Sequence, residues 1–139
     1  MSYDKCTKQR KDPRIVLREN KSTFVAINNS RKVVYETKVD GCYINGSAQR
    51  CDYMLRVDTP NRVVYLIELK GRHIEHAVSQ LKETLTKMPD CVNGYKRECC
   101  IVATCVPKAR TNLQKSKIEL KRAHNANLKV RSGKLEIEV

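Results

Sequence analysis

Residues 53–88 constrain the fold most strongly, because two β-rich runs are followed at once by an amphipathic helical pattern. The runs cover Tyr53–Val57 and Arg62–Leu69, and the turn sequence Asp58-Thr59-Pro60-Asn61 lies between them. This order predicts an antiparallel hairpin. Two residues that lie opposite each other across this hairpin have numbers with a fixed sum. If that sum is even and near 120, Asp52 and Glu68 share a face; if it is odd, they lie on opposite faces.

The helical pattern that follows has apolar residues at i, i+3, i+4 and i+7, which predicts a helix over Ile74–Met88, stopped by Pro89. The apolar run Cys99–Val106 predicts a strand buried on both faces. A basic helix is expected over Asn112–His124. Leu128–Val130 and Leu135–Val139 are then expected to form a closing hairpin.

The first third of the chain is expected to contain a lead-in, a short element and a hairpin. Residues 1–13 are polar and basic and are expected to form a flexible lead-in, and residues 14–139 a single domain. Ile15–Glu19 fits a short strand or one helical turn, and Thr23–Asn28 with Val33–Lys38 predicts another hairpin. The whole order predicts an α/β (α+β) fold, a mixed sheet flanked by helices.

The charge balance favours a polyanionic partner. Lys and Arg number 28 against 15 acidic residues, a formal net charge of +13, and nucleic acid is the commonest polyanion that such proteins bind. No apolar run approaches the ~20 residues of a membrane span, and residues 1–14 lack the apolar core of a signal peptide. A soluble, cytoplasmic protein without a membrane partner is therefore expected.

Seven cysteines are present, an odd number, and without a signal peptide they are expected to be reduced and mostly buried. No Cys-x2-Cys pair occurs, so a structural zinc site is not favoured.

The candidate site lies at the ends of the central strands. Side chains alternate along a strand, so Glu68 and Lys70 are expected to share a face, with Asp52 available from the neighbouring strand. Two carboxylates and a lysine can hold a hard divalent cation and handle a water beside a phosphodiester. An exposed pair of ordinary charges is the alternative, but the apolar neighbours Leu66, Ile67 and Leu69 favour partial burial.

Asp52, Glu68-x-Lys70 on the next strand and a helix carrying Gln80 together resemble the PD-(D/E)xK nuclease superfamily over residues 50–106. Cys51 stands where the motif has proline. The resemblance implies a restriction-endonuclease-like or Holliday-junction-resolvase-like mixed sheet. It also implies a third acidic residue, for which Glu19 is the first candidate and Glu36 the second.

The resemblance further implies metal-dependent hydrolysis of DNA. Asp52, Glu68 and the backbone carbonyl of Leu69 would hold Mg²⁺ or Mn²⁺. Lys70 would orient the attacking water or stabilise charge at phosphorus, and Gln80 would hydrogen-bond near the reacting groups. His73 and His76 are expected to be surface residues rather than ligands.

Basic residues near the motif and in the last third are expected to contact phosphates. The candidates are Arg50, Arg72, Lys108, Arg110, Lys115, Lys121 and Arg122. A homodimer that meets both strands of a duplex is one possible assembly. The alternatives are an RNA-directed nuclease and a catalytically inactive nucleic-acid-binding or regulatory module of the same fold.

Overall fold

The computed structural model describes residues 3–19, 21–42, 51–71, 74–104 and 110–139. In chain order the described elements are α1 (Tyr3–Cys6), β1 (Thr7–Arg10), β2 (Arg14–Glu19), β3 (Ser22–Ile27), β4 (Val34–Lys38), β5 (Tyr53–Val57), β6 (Val63–Gly71), α2 (Ile74–Lys87), α3 (Pro89–Val92), β7 (Lys96–Ala103), α4 (Arg110–His124), β8 (Ala126–Ser132) and β9 (Lys134–Glu138).

Six strands form one mixed sheet in the order β1-β4-β5-β6-β7-β8. Neighbours from β1 to β6 are antiparallel, whereas β6, β7 and β8 are parallel. Parallel neighbours need long connections, and α2 and α4 lie in the connections from β6 to β7 and from β7 to β8. The expected mixed sheet with helices is thus confirmed at the level of an α+β single-domain fold.

A second sheet has the order β2-β3-β9, with β2 and β3 antiparallel and β3 and β9 parallel. Alternate residues of the large sheet enter two separate cores. Leu66 packs in the core shared with α2 and α4, whereas its neighbour Ile67 packs in the core shared with the second sheet. The large sheet is therefore covered on both faces, which explains its long apolar runs.

Helix α2 confirms the helical prediction. Ala77, Val78, Leu81 and Leu85 are buried on one face, as the apolar spacing predicted, and α2 ends at Lys87 before the proline. The strand predicted over Cys99–Val106 is β7, which begins three residues earlier than predicted, at Lys96.

Two predicted hairpins are wrong. The segments predicted over Thr23–Asn28 and Val33–Lys38 form β3 and β4, which belong to different sheets; β3 instead pairs with β2 and β9. The closing hairpin fails in the same way, because β8 pairs with β7 and β9 pairs with β3. In both cases the two strands that flank the short connection belong to different sheets.

The predicted lead-in also differs from the structure, since residues 7–10 form β1 at the edge of the large sheet. Two contacts fix this strand: Arg10 forms an ion pair of 2.7 Å with Glu36, and the hydroxyl groups of Thr7 and Thr37 hydrogen-bond at 2.7 Å.

The expectation of reduced cysteines is wrong for Cys6 and Cys42, which form a disulfide. Cys51, Cys99 and Cys100 are buried free thiols, as expected. Within the part of the chain that the structure describes, no helix combines the length and apolar character that a membrane crossing requires.

Candidate functional site

The pairing of β5 with β6 brings Asp52 and Glu68 together. The predicted antiparallel hairpin is confirmed, and Tyr53 lies opposite Ile67, so the paired numbers sum to 120, the even case that puts Asp52 and Glu68 on one face. Continuing this register places Asp52 against Glu68. The backbone N–H of Asp52 donates a 3.1 Å hydrogen bond to the carbonyl of Ile67, which holds the two strands together at this point.

Asp52 is fixed by backbone groups from both neighbouring strands. The N–H of Leu69 donates a 2.7 Å hydrogen bond to its Oδ2. Its backbone carbonyl accepts hydrogen bonds from Val39 at 3.0 Å and Asp40 at 3.3 Å. The carboxylate is buried, with 7% of the residue exposed, so these bonds leave it little freedom to turn away.

Glu68 is an acid held in an unfavourable environment. It is 4% exposed, and desolvation by burial, followed by its hydrogen bond to Asp52 and the nearby charges of Asp52, Asp40 and Glu19, raises its pKa to about 11. Its Oε2 atom is buried and has no hydrogen-bond partner among the described residues. Glu68 therefore carries a proton at neutral pH and presents one unsatisfied oxygen.

Helix α2 positions the start of β5 through Thr84. The Thr84 hydroxyl donates a 2.8 Å hydrogen bond to the carbonyl of Gln80 and accepts one of 2.8 Å from the backbone N–H of Cys51. Cys51 directly precedes Asp52, so these two hydrogen bonds hold Asp52 in place. Thr84 was missed from the sequence; a threonine on the apolar face of the helix was its only signal.

Two further acids line the same cavity as Asp52, an acidic cavity of about 250 Å³. Its lining includes Glu19, from the end of β2, and Asp40, which follows β4. The sequence singled out Glu19 but missed Asp40. Glu36, the second candidate for the third acid, lies outside this lining and is paired with Arg10 at 2.7 Å and Lys8 at 3.6 Å.

Mg²⁺ and Mn²⁺ prefer oxygen ligands, above all carboxylates. Asp52 and Glu68 fit this preference, because they are adjacent carboxyl groups and one of their oxygens is buried without a partner. Among the described side chains, no three of the His, Cys, Asp and Glu residues are close enough to form a complete metal-binding group. The structure thus assembles a pair of acids, with Glu19 and Asp40 lining the same cavity as Asp52.

The remaining predicted catalytic residues lie around this pair. Lys70 occupies an irregularity of β6, where the register shifts between Leu69 and Gly71, and its side chain lies outside the described residues. Gln80 is half-buried on α2, and its backbone carbonyl accepts a hydrogen bond from the Thr84 hydroxyl. Leu69 contacts Asp52 through its N–H, while the predicted role of its carbonyl stays a prediction.

The predicted nucleic-acid contacts are spread over the molecule. Arg50, Arg72, His73 and Lys108 lie outside the described residues, and Arg110 is described only as the first residue of α4. Lys115, Lys121, Arg122 and His76 are exposed. Lys121 and Arg122 are in the last turn of α4, which leads into the start of β8, whereas Glu68 is near the end of β6. Because β6 and β8 run parallel, those two cations and the acids lie toward opposite ends of the sheet.

No protein-family model, curated protein or solved structure matches the chain. The functional inference therefore rests on the residues and the geometry of this chain alone.

Proposed function

We propose that this protein is a metal-dependent nuclease that hydrolyses phosphodiester bonds in DNA. The observation that carries the proposal is the buried pair of Asp52 and Glu68, brought together by the register of β5 and β6, with Asp52 also lining an acidic cavity. The net charge of +13 supports a polyanionic substrate.

The energetic cost of the pair supports a functional role. Burying two neighbouring carboxyl groups is unfavourable, and Glu68 follows the buried apolar residues Leu66 and Ile67 on the same strand. Strongly perturbed acids beside a cavity are characteristic of sites that bind a cation or transfer a proton. An ordinary structural ion pair would place a cation beside Glu68, and none of the described basic side chains forms an ion pair with it.

Asp52, Glu68 and the Leu69 carbonyl would hold Mg²⁺ or Mn²⁺. When bound, such an ion polarises the scissile phosphate and lowers the pKa of a water molecule. Asp52 enters this role already oriented by the N–H of Leu69. Glu68 must give up its proton to act as a ligand, because carboxyl groups bind metals as anions. Lys70 would orient the attacking water, and Gln80 and Glu19 would supply further polar groups around the metal site.

Cleavage of supercoiled plasmid with Mn²⁺ tests the proposal. Asp52→Ala, Glu68→Ala and Lys70→Ala should each abolish cleavage while oligonucleotide binding persists. Glu98→Gln is the matched control, because it neutralises an acid of the same sheet on β7, outside the acidic cavity. Unchanged cleavage in all three site variants would refute the assignment. Parallel assays on RNA decide whether DNA or RNA is the substrate.

A catalytically inactive nucleic-acid-binding module of the same fold is the second candidate. It is supported by the net charge of +13, which favours binding to a polyanion without requiring any chemistry. This candidate predicts salt-sensitive binding to DNA without cleavage under any divalent cation, and with the same affinity in wild type and Glu68→Gln.

A further inference from the structure

A second cavity adjoins the acidic one and has the opposite charge. It measures about 330 Å³, and its lining includes Lys5, Lys8 and Lys38. Lys38 and Tyr53 line both cavities, so the two share a wall. We refer to the second space, defined by these three lysines and Tyr53, as the basic cavity.

The charges of the two cavities are segregated. The acidic cavity has Glu19, Asp40 and Asp52 in its lining, with Lys38 at its border. The basic cavity contains one acid, Glu36, and Arg10 binds that carboxylate at 2.7 Å from outside the lining. Lys8 also lies 3.6 Å from this carboxylate, so an anion entering the basic cavity meets the ammonium groups of Lys5 and Lys38, that of Lys8 beside Glu36, and a carboxylate whose charge is offset by two cations.

The lysines are accessible and sit on well-paired backbone. All three are exposed, and 67% of the Lys8 side chain is open to solvent. On the strands, Lys8 lies opposite Glu36 and Lys38 opposite Tyr53. Lys5 precedes Cys6, whose disulfide to Cys42 joins the segment after Asp40 and Gly41 to the start of β1. The backbone on both sides of the shared wall is thus covalently connected.

We infer that the basic cavity binds a backbone phosphate of the nucleic-acid strand whose neighbouring phosphodiester lies over the acidic cavity. Lysine ammonium groups are suited to phosphate as point charges, and the Tyr53 hydroxyl can donate a hydrogen bond from the shared wall. The position of a neighbouring phosphodiester over the acidic cavity rests on the proposed nuclease function; the binding of the strand to the basic cavity does not.

Oligonucleotide binding without metal tests the inference. The variant Lys5→Gln/Lys8→Gln/Lys38→Gln is compared with Lys87→Gln/Lys96→Gln/Lys117→Gln, which removes the same charge from exposed lysines outside both cavities. Fluorescence anisotropy in EDTA, over a range of salt concentrations, reports affinity. The basic-cavity variant should bind about tenfold or more weakly, with a shallower salt dependence, while the control variant changes much less.

Equal losses in the two variants would overturn the inference, because they would show an effect of net charge alone. Unchanged binding in the basic-cavity variant would overturn it as well. Titration with inorganic phosphate adds a further arm: phosphate binding that this variant loses while oligonucleotide affinity stays intact would indicate a site for free phosphate. Since no arm requires cleavage, a failure of the proposed nuclease activity is distinguishable from a failure of this inference.

Discussion

The backbone N–H of Leu69 donates a 2.7 Å hydrogen bond to Oδ2 of Asp52, so the main chain of β6 orients a carboxylate at the start of β5. Asp52→Asn keeps an acceptor for this N–H, whereas Asp52→Ala leaves a buried donor unsatisfied. We expect Asp52→Ala to lower the free energy of unfolding by about 1–3 kcal/mol more than Asp52→Asn does. Urea denaturation measures the difference, and equal stability of the two variants would contradict a structural role for this bond.

Glu68 should make stability depend on pH. Burial raises its pKa from 4.5 to about 11, so the folded state keeps a proton that the unfolded state releases. The free energy of unfolding of wild type, relative to Glu68→Gln, should therefore fall as the pH rises from about 5 to about 9, by at most about 1.4 kcal/mol for each pH unit. Denaturation of both proteins at several pH values checks this, and parallel pH profiles would contradict it.

Divalent cations should stabilise the protein through the acid pair. Mg²⁺ or Mn²⁺ should raise the melting temperature of wild type, and EDTA should reverse the effect. Because Glu68 must lose its proton to bind a cation, the stabilisation should grow with increasing pH. Differential scanning fluorimetry measures it. Asp52→Asn and Glu68→Gln should show no cation-dependent shift, and a shift of wild-type size in either variant would place the cation elsewhere.

Thr84 offers a test of how α2 positions the site. Thr84→Val removes the acceptor for the Cys51 N–H and should lower the free energy of unfolding by about 1–3 kcal/mol and reduce plasmid cleavage. Thr84→Ser retains the hydroxyl and should restore cleavage. The matched control is Thr86→Val: Thr86 makes the same type of bond to the carbonyl four residues back, at 3.0 Å, but is exposed. Equal effects at both positions would show that only the helix is affected.

The disulfide should contribute to stability. Cys6 and Cys42 are 36 residues apart, and closing a loop of that length is typically worth about 2–4 kcal/mol. We expect Cys6→Ser/Cys42→Ser, or wild type treated with a reductant, to unfold at lower urea concentration by a corresponding amount. The double variant should not respond to the reductant. A reductant effect of wild-type size in it would point to another cysteine pair.

The sequence was most informative where the structure is local. The turn between β5 and β6 predicted the hairpin, and because a short antiparallel connection allows few registers, the shared face of Asp52 and Glu68 was reduced to two cases, of which the structure has the even one. Helix α2 was predicted correctly from the spacing of its apolar residues, because that pattern is also local in the sequence.

The errors came from long-range pairing. Asn28 does form a turn, since its side-chain oxygen accepts a hydrogen bond of 2.9 Å from the N–H of Lys32, but the strands on either side join different sheets. The partner of β3 in parallel pairing is β9, more than 100 residues later in the chain. No local pattern reveals such a contact.

Asp40 was missed for the same physical reason. Nothing in the sequence around it resembles a site, and it reaches the acidic cavity only because β4 pairs with β5 and its N–H donates to the carbonyl of Asp52 at 3.3 Å. Glu19 was proposed from the family pattern alone, and it reaches the cavity as the last residue of a strand in the other sheet.

The direction of α2 has an electrostatic consequence for the end of the sheet that carries Glu68. The helix begins at Ile74, shortly after β6 ends at Gly71, so its first N–H groups lie toward the end of the sheet that carries Glu68. The aligned peptide dipoles place a partial positive charge of about half a unit at that terminus. Unlike a lysine ammonium, this charge does not titrate, so its pull on anions stays the same in alkaline solution.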